Sequence, residues 1–142
     1  MIFIYILICL AVFLSFMIYM SWKRKKVEHI FREMKLSGEA FILGPEVASF
    51  RGATAKYGRI KCDGVIGLTN EKIIFVPFVS KKFFIPMNEI KDVSESKKFL
   101  GHYRAGISVL VLHSKEADIG FFVKNILRWQ NAIRGIIKMG KE

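Results

Sequence analysis

From Met1 to Trp22 the chain is apolar almost throughout: only Ser15 and Ser21 fall outside the hydrophobic set, and no residue is charged. As a helix, Ile2 to Trp22 extends about 31 Å, matching a hydrocarbon core about 30 Å thick. Its Ile, Leu, Phe and Val residues each favour insertion, and Tyr5, Tyr19 and Trp22 lie near its two ends, where aromatic rings prefer the interface. The pattern predicts one transmembrane helix over 1–22. A cleaved leader would need a positive start, a shorter apolar run and a small-residue exit. No Lys or Arg precedes this run, and neither Ser21-Trp22-Lys23 nor Ile6-Leu7-Ile8 ahead of Cys9 offers such an exit. The expectation is an uncleaved anchor.

Lys23, Arg24, Lys25 and Lys26 follow at once. By the positive-inside rule they hold this end in the cytoplasm. That predicts a single-pass protein of the cell membrane with its N-terminus outside and its C-terminal domain cytoplasmic. The same cluster suits anionic lipid, at about 1 kcal/mol per basic residue near the surface. Val27, Ile30, Phe31 and Met34 then form a helical stripe, ended by Ser37-Gly38. Residues 23–38 therefore read as a basic juxtamembrane segment and linker helix, which either continues the anchor or bends at the basic cluster. Val27 to Ser37 reaches about 16 Å as a helix and at most about 39 Å extended, so the domain stays near the bilayer.

From Glu39 the pattern shortens to strands and turns. Phe41-Ile42-Leu43 ends at Gly44-Pro45, and Val47 to Ala55 is a strand weakened by Gly52. Gly58 to Thr69 is interrupted by Gly64 and Gly67, which suggest a bulge or bend. Lys72 to Val79 is the strongest strand, with Pro77 arguing for an edge or a bulge. Lys82 to Pro86, Ile90 to Ser94, Arg104 to His113 and Ala117 to Val123 complete the set. Seven or so short strands at this spacing predict an antiparallel barrel or sandwich. From Val123 to Met139 the period changes: Phe122, Ile126, Trp129, Ile133, Ile136 and Ile137 share one helix face, with Lys124, Arg128, Arg134 and Lys138 opposite. That helix should close the open end of the barrel, with Trp129 as its largest burial.

Composition narrows the picture further. The chain has 142 residues, so residues 39–142 hold one domain. Mean hydropathy is high at +0.32, yet the net charge is +11. The two coexist because the apolar anchor and a basic domain are separate segments. Two cysteines exclude a disulfide framework.

Gly58-Arg59-Ile60-Lys61 with Gly64-Val65-Ile66-Gly67-Leu68-Thr69-Asn70-Glu71-Lys72-Ile73-Ile74-Phe75 resembles the Gly-x-Leu-x-Leu-Thr-Asn-x-Arg-Leu-x-Phe hairpin of GRAM domains and of related bacterial PH-like domains. Ile85-Pro86-Met87-Asn88-Glu89-Ile90-Lys91-Asp92-Val93 is similar to their next strand and turn. The closing helix with Trp129 resembles the C-terminal helix of the pleckstrin-homology superfold. Lys72 replaces the usual Arg, and Gly67 stands where a larger residue is common. The resemblance covers about Glu39 to Lys138. It implies a mainly β fold: a PH-like, seven-stranded antiparallel barrel capped by a C-terminal amphipathic helix. Such domains bind lipids or proteins and are not catalytic.

Candidate chemistry agrees with a binding module. His29, His102 and His113 stand apart from metal-ligand spacing, and solvated or capping roles are expected for them. Cys9 is intramembrane, and Cys62 is expected to face the core. No phosphate-binding glycine loop precedes a helix. No catalytic group, metal or cofactor is expected. Outside residues 23–26, 19 basic residues against 12 acidic ones leave +7. Lys56-x-x-Arg59-x-Lys61 resembles the spaced basic pattern with which some pleckstrin-homology domains hold inositol phosphates, and Lys81-Lys82 adds a loop pair. Lys56, Arg59, Lys61, Lys81 and Lys82 are thus the candidate anion-binding residues. Two functions remain open: a surface for an unidentified protein partner, and a reader of anionic phospholipid headgroups in the same membrane. Nucleic acid is not expected, for want of a stacking platform or groove helix.

Overall fold

The computed structural model describes residues 1–58, 60–103 and 106–142. Helix α1 runs unbroken from Ile2 to Leu36. No Gly or Pro interrupts it, so it continues through the basic cluster instead of bending there, reaching about 52 Å at 1.5 Å per residue. Ser37 Oγ donates to the Met34 carbonyl at 2.6 Å, and Gly38 follows at φ +77°. Residues 1–19 are exposed, and α1 is long and apolar enough to cross a membrane.

The strands are β1 (Leu43–Ala53), β2 (Cys62–Leu68), β3 (Lys72–Pro77), β4 (Phe83–Pro86), β5 (Ile90–Ser96), β6 (Lys98–Phe99), β7 (His102–Tyr103), β8 (Val109–Ser114) and β9 (Asp118–Phe122). A single 3-10 turn, Met87–Glu89, separates β4 from β5. Seven strands form one antiparallel sheet in the order β4-β3-β2-β1-β9-β8-β5, and β6 and β7 form a separate hairpin. β1 joins the two halves by pairing with β2 on one side and β9 on the other. Helix α2 (Ile126–Met139) starts at Asn125, whose side chain accepts from the Arg128 N–H at 3.1 Å.

The sheet curls around Phe50, Ile66, Leu68, Phe75, Leu110, Ile119 and Phe121, and α2 caps this core with Trp129 and Ile133. Trp129 is 1% exposed, and its indole N–H donates to Glu46 Oε1 at 2.7 Å. The aromatic rings of Phe50, Phe75, Phe83 and Phe121 pack with centroids 5.3–5.9 Å apart, the tilted geometry aromatic pairs prefer.

Several expectations change in detail. The expected Phe41–Leu43 and Val47–Ala55 strands merge into the single β1, with a register shift between Leu43 and Glu46. Toward β3 neither Gly64 nor Gly67 makes a bulge, since β2 and β3 pair without a shift from Gly64↔Pro77 to Leu68↔Ile73, whereas toward β1 the shift between Leu43 and Glu46 falls opposite Gly67. These glycines serve close approach: a Cβ at Gly64 would collide with the Val76 carbonyl, and one at Gly67 would lie 2.5 Å from Phe41 Cε1. β3 is an interior strand. Pro77 is tolerated because β4 pairs only with Lys72 to Phe75, leaving the end of β3 open on that side. Arg104 and Ala105 lie outside the described residues, and the strand expected from Arg104 begins at Val109.

Candidate functional site

The stripe predicted on the linker helix has a partner. Ile30 and Met34 are buried, and with Val27 and Phe31 they pack on Phe41, Val65, Ile74, Val76 and Phe78. Along β3, Ile73 and Phe75 point into the barrel while Ile74 and Val76 point out to α1. Both faces are covered, which is why this strand reads as a continuous apolar run instead of an alternation.

The direction of packing follows from its two ends. Near the β2–β3 turn, a Cβ at Gly67 would meet Met34 Cε at 3.1 Å. At the far end of β3, Lys23 Nζ lies 5.8 Å from the centre of the Phe78 ring. The apolar part of α1 therefore leaves the sheet past the β3–β4 connection. In an antiparallel meander the β1–β2 connection lies at the same end, and the Phe78 N–H donates to the Asp63 carbonyl at 3.1 Å across it. The β8–β9 turn joins them: Thr54 N–H donates to the Asp118 carbonyl at 3.0 Å, and Asp118 N–H to Thr54 Oγ1 at 2.9 Å.

This end carries most of the predicted basic residues. Lys61, Lys81 and Lys82 are exposed there, beside the tips Ile60 and Val79, which are 83% and 81% exposed. Partial desolvation, and next the Arg51 charge, hold Lys61 below the usual lysine range. Lys82 Nζ lies 5.9 Å from the Phe84 ring centre. Lys23, Arg24, Lys25 and Lys26 lie on α1, starting at the level of Phe78. Lys56 is different: its ammonium pairs with Glu89 at 3.3 Å and Glu116 at 3.4 Å. The hydrogen bond to Glu89 raises its pKa, so its charge is engaged within the domain. Arg59 lies outside the described residues. The structure thus brings Lys61, Lys81 and Lys82 to one end and takes Lys56 out of the group.

Two constellations escaped the sequence. Lys56, Glu89 and Glu116 tie three connections together, and Ser94, His113 and Asp118 form a hydrogen-bonded chain across β5, β8 and β9. Their members lie on different connections or strands, and no local spacing announces them. A groove of about 500 Å³ runs between the β2–β3 turn and the end of α2, lined by Asn70, Met87, Asn88, Ile136, Ile137 and Lys141. Among the described residues, no three His, Cys, Asp or Glu side chains are grouped to hold a metal ion.

No family model matches the chain, and no curated protein matches it. Among solved structures it is similar to the C-terminal domain of an unknown protein from Leishmania infantum, with a TM-score of 0.49 and 18% identity, over 78% of this chain and 98% of that one.

Proposed function

We propose that this chain is a membrane-anchored binding module. α1 spans the bilayer once with its N-terminus outside, and the β domain is held on the cytoplasmic surface with its Lys61, Lys81 and Lys82 end against anionic headgroups. The observation that carries this reading is the packing of α1 along β2 and β3. Lys23, at the expected membrane boundary, is level with Phe78, so the linker runs beside the sheet and leaves no gap between domain and bilayer. Tethering keeps local headgroup concentration high, so individually weak contacts stay occupied. The strand order and the α2 cap support the GRAM and PH-like resemblance as the family reading. A protein partner is the second reading, favoured by the groove beside α2.

The test is amide hydrogen exchange on the full-length chain in nanodiscs of neutral or anionic phospholipid. Connections 54–61 and 78–82 should be protected more in anionic discs, with the difference lost at high salt. Equal exchange in both discs would refute the headgroup contact. Removal of the domain by protease added outside intact cells would refute the orientation.

A further inference from the structure

Ser94, His113 and Asp118 meet on the outer face of the sheet because of register. Asp118 stands opposite His113 across β9 and β8, and Ser94, opposite Val111, is diagonal to His113 across β5 and β8. Ser94 Oγ lies 2.7 Å from His113 Nε2, and His113 Nδ1 lies 2.8 Å from Asp118 Oδ1. An ionised carboxylate only accepts, so the network assigns the ring proton to Nδ1. In the neutral ring the Nε2 lone pair then faces the Ser94 hydroxyl, which donates to it. Asp118 is fixed in turn through its backbone bonds to Thr54.

Nucleophile, base and orienting carboxylate are therefore present in the order and with the nitrogen assignment that acyl transfer requires. The side chains of His113 and Asp118 are 38% and 47% exposed, so an external reactant can reach them.

We propose that Ser94 is a primed nucleophile, with His113 as its base and Asp118 as the positioning residue, reactive toward carboxylic esters. This goes beyond the binding role and does not depend on it. Ser94 Oγ would bond to the ester carbonyl carbon while its proton passes to His113 Nε2. That proton then leaves with the departing alcohol as the ester C–O bond breaks. Water, deprotonated by the same nitrogen, would hydrolyse the acyl-serine, releasing the acid and restoring the hydroxyl. Because the trio lies open on a sheet face, turnover should be slow, and stoichiometric labelling is the sensitive readout.

The full-length chain in detergent micelles would be treated with an alkyl fluorophosphonate, whose P–F bond breaks as the serine O–P bond forms. Peptide mass spectrometry should place the adduct on Ser94. His113→Ala should slow labelling by about a hundredfold or more, the usual scale of a positioned base, and added imidazole should restore part of the rate. Asp118→Asn should slow it and Asp118→Glu should keep most of it. If His113→Ala loses the native circular dichroism, the two Asp118 variants carry the same comparison. No adduct on Ser94 in the unaltered chain would overturn the proposal. So would labelling of Ser94 at unchanged rate in the folded variants, or adducts spread over other serines.

Discussion

Met34 on α1 rests against the bare backbone of Gly67 on β2: a Cβ there would lie 3.1 Å from Met34 Cε and 2.5 Å from Phe41 Cε1. The position is a contact surface, so larger residues must push the helix off the sheet. Gly67→Val should cost about 1–3 kcal/mol, the scale of overpacking, read as a lower urea midpoint. It should also expose Arg32 and Lys35 to trypsin faster than in the unaltered chain. Unchanged cleavage would mean that α1 is not held by this contact.

The same contact shows what the sequence could and could not reveal. The Val27, Ile30, Phe31, Met34 stripe, the strand pattern and the Trp129 face were legible because each is a local periodicity. From sequence Gly67 suggests only a bulge or bend, because its partner, Met34, sits on another element. Lys56 looked like an anion ligand because its neighbours in sequence are basic; Glu89 and Glu116 reach it only through the fold. His113 looked isolated for the same reason, since Ser94 and Asp118 approach it across strands.

Glu46 accepts the indole N–H of the buried Trp129. Replacing Glu46 by Leu leaves that donor without its acceptor and should cost about 1–3 kcal/mol. Glu46→Gln keeps an acceptor and should cost less. Urea denaturation followed by Trp fluorescence separates the two, and equal losses would argue that the bond contributes little.

Neutralising Lys61, Lys81 and Lys82 together by Gln should abolish the salt-sensitive protection of 54–61 and 78–82 in anionic nanodiscs. Lys56→Gln should leave that protection intact while lowering the urea midpoint, because its charge serves Glu89 and Glu116. A lipid effect in Lys56→Gln equal to that of the triple variant would put Lys56 back among the headgroup contacts.

Lys56 and Tyr57 both hold their protons more tightly in the fold, Lys56 chiefly through its hydrogen bond to Glu89 and Tyr57 chiefly through burial. For a group whose folded pKa is raised, the stability it adds is complete below the unfolded pKa and is lost as pH rises through the folded one. The domain should therefore weaken above about pH 10, the ordinary range of both side chains. Lys61, whose pKa is lowered, acts with the opposite sign. Urea midpoints from neutral to alkaline pH should fall in the unaltered chain and fall less in Lys56→Gln/Tyr57→Phe. Parallel curves would show that neither group is linked to folding.

β5 ends the sheet, so one of its edges has no strand partner among the described residues. At Val93 that edge is blocked by side chains: Asp92 Oδ1 accepts the Val93 N–H at 2.8 Å, and Arg134 Nη2 donates to the Val93 carbonyl at 2.9 Å. Arg134 Nε also lies 3.7 Å from Asp92 Oδ1, which holds the two blockers together. An open edge invites pairing with a second chain, and charged side chains are a common guard against it. Arg134 lies opposite the apolar face in the sequence pattern; it reaches the sheet edge because α2 packs directly on β5. Asp92→Ala/Arg134→Ala should free both backbone groups and produce concentration-dependent association of the full-length chain in detergent, measured by analytical ultracentrifugation. Each single variant should show less, because one guard remains. A double variant that sediments like the unaltered chain at every concentration would show that the edge is protected by something other than these two residues.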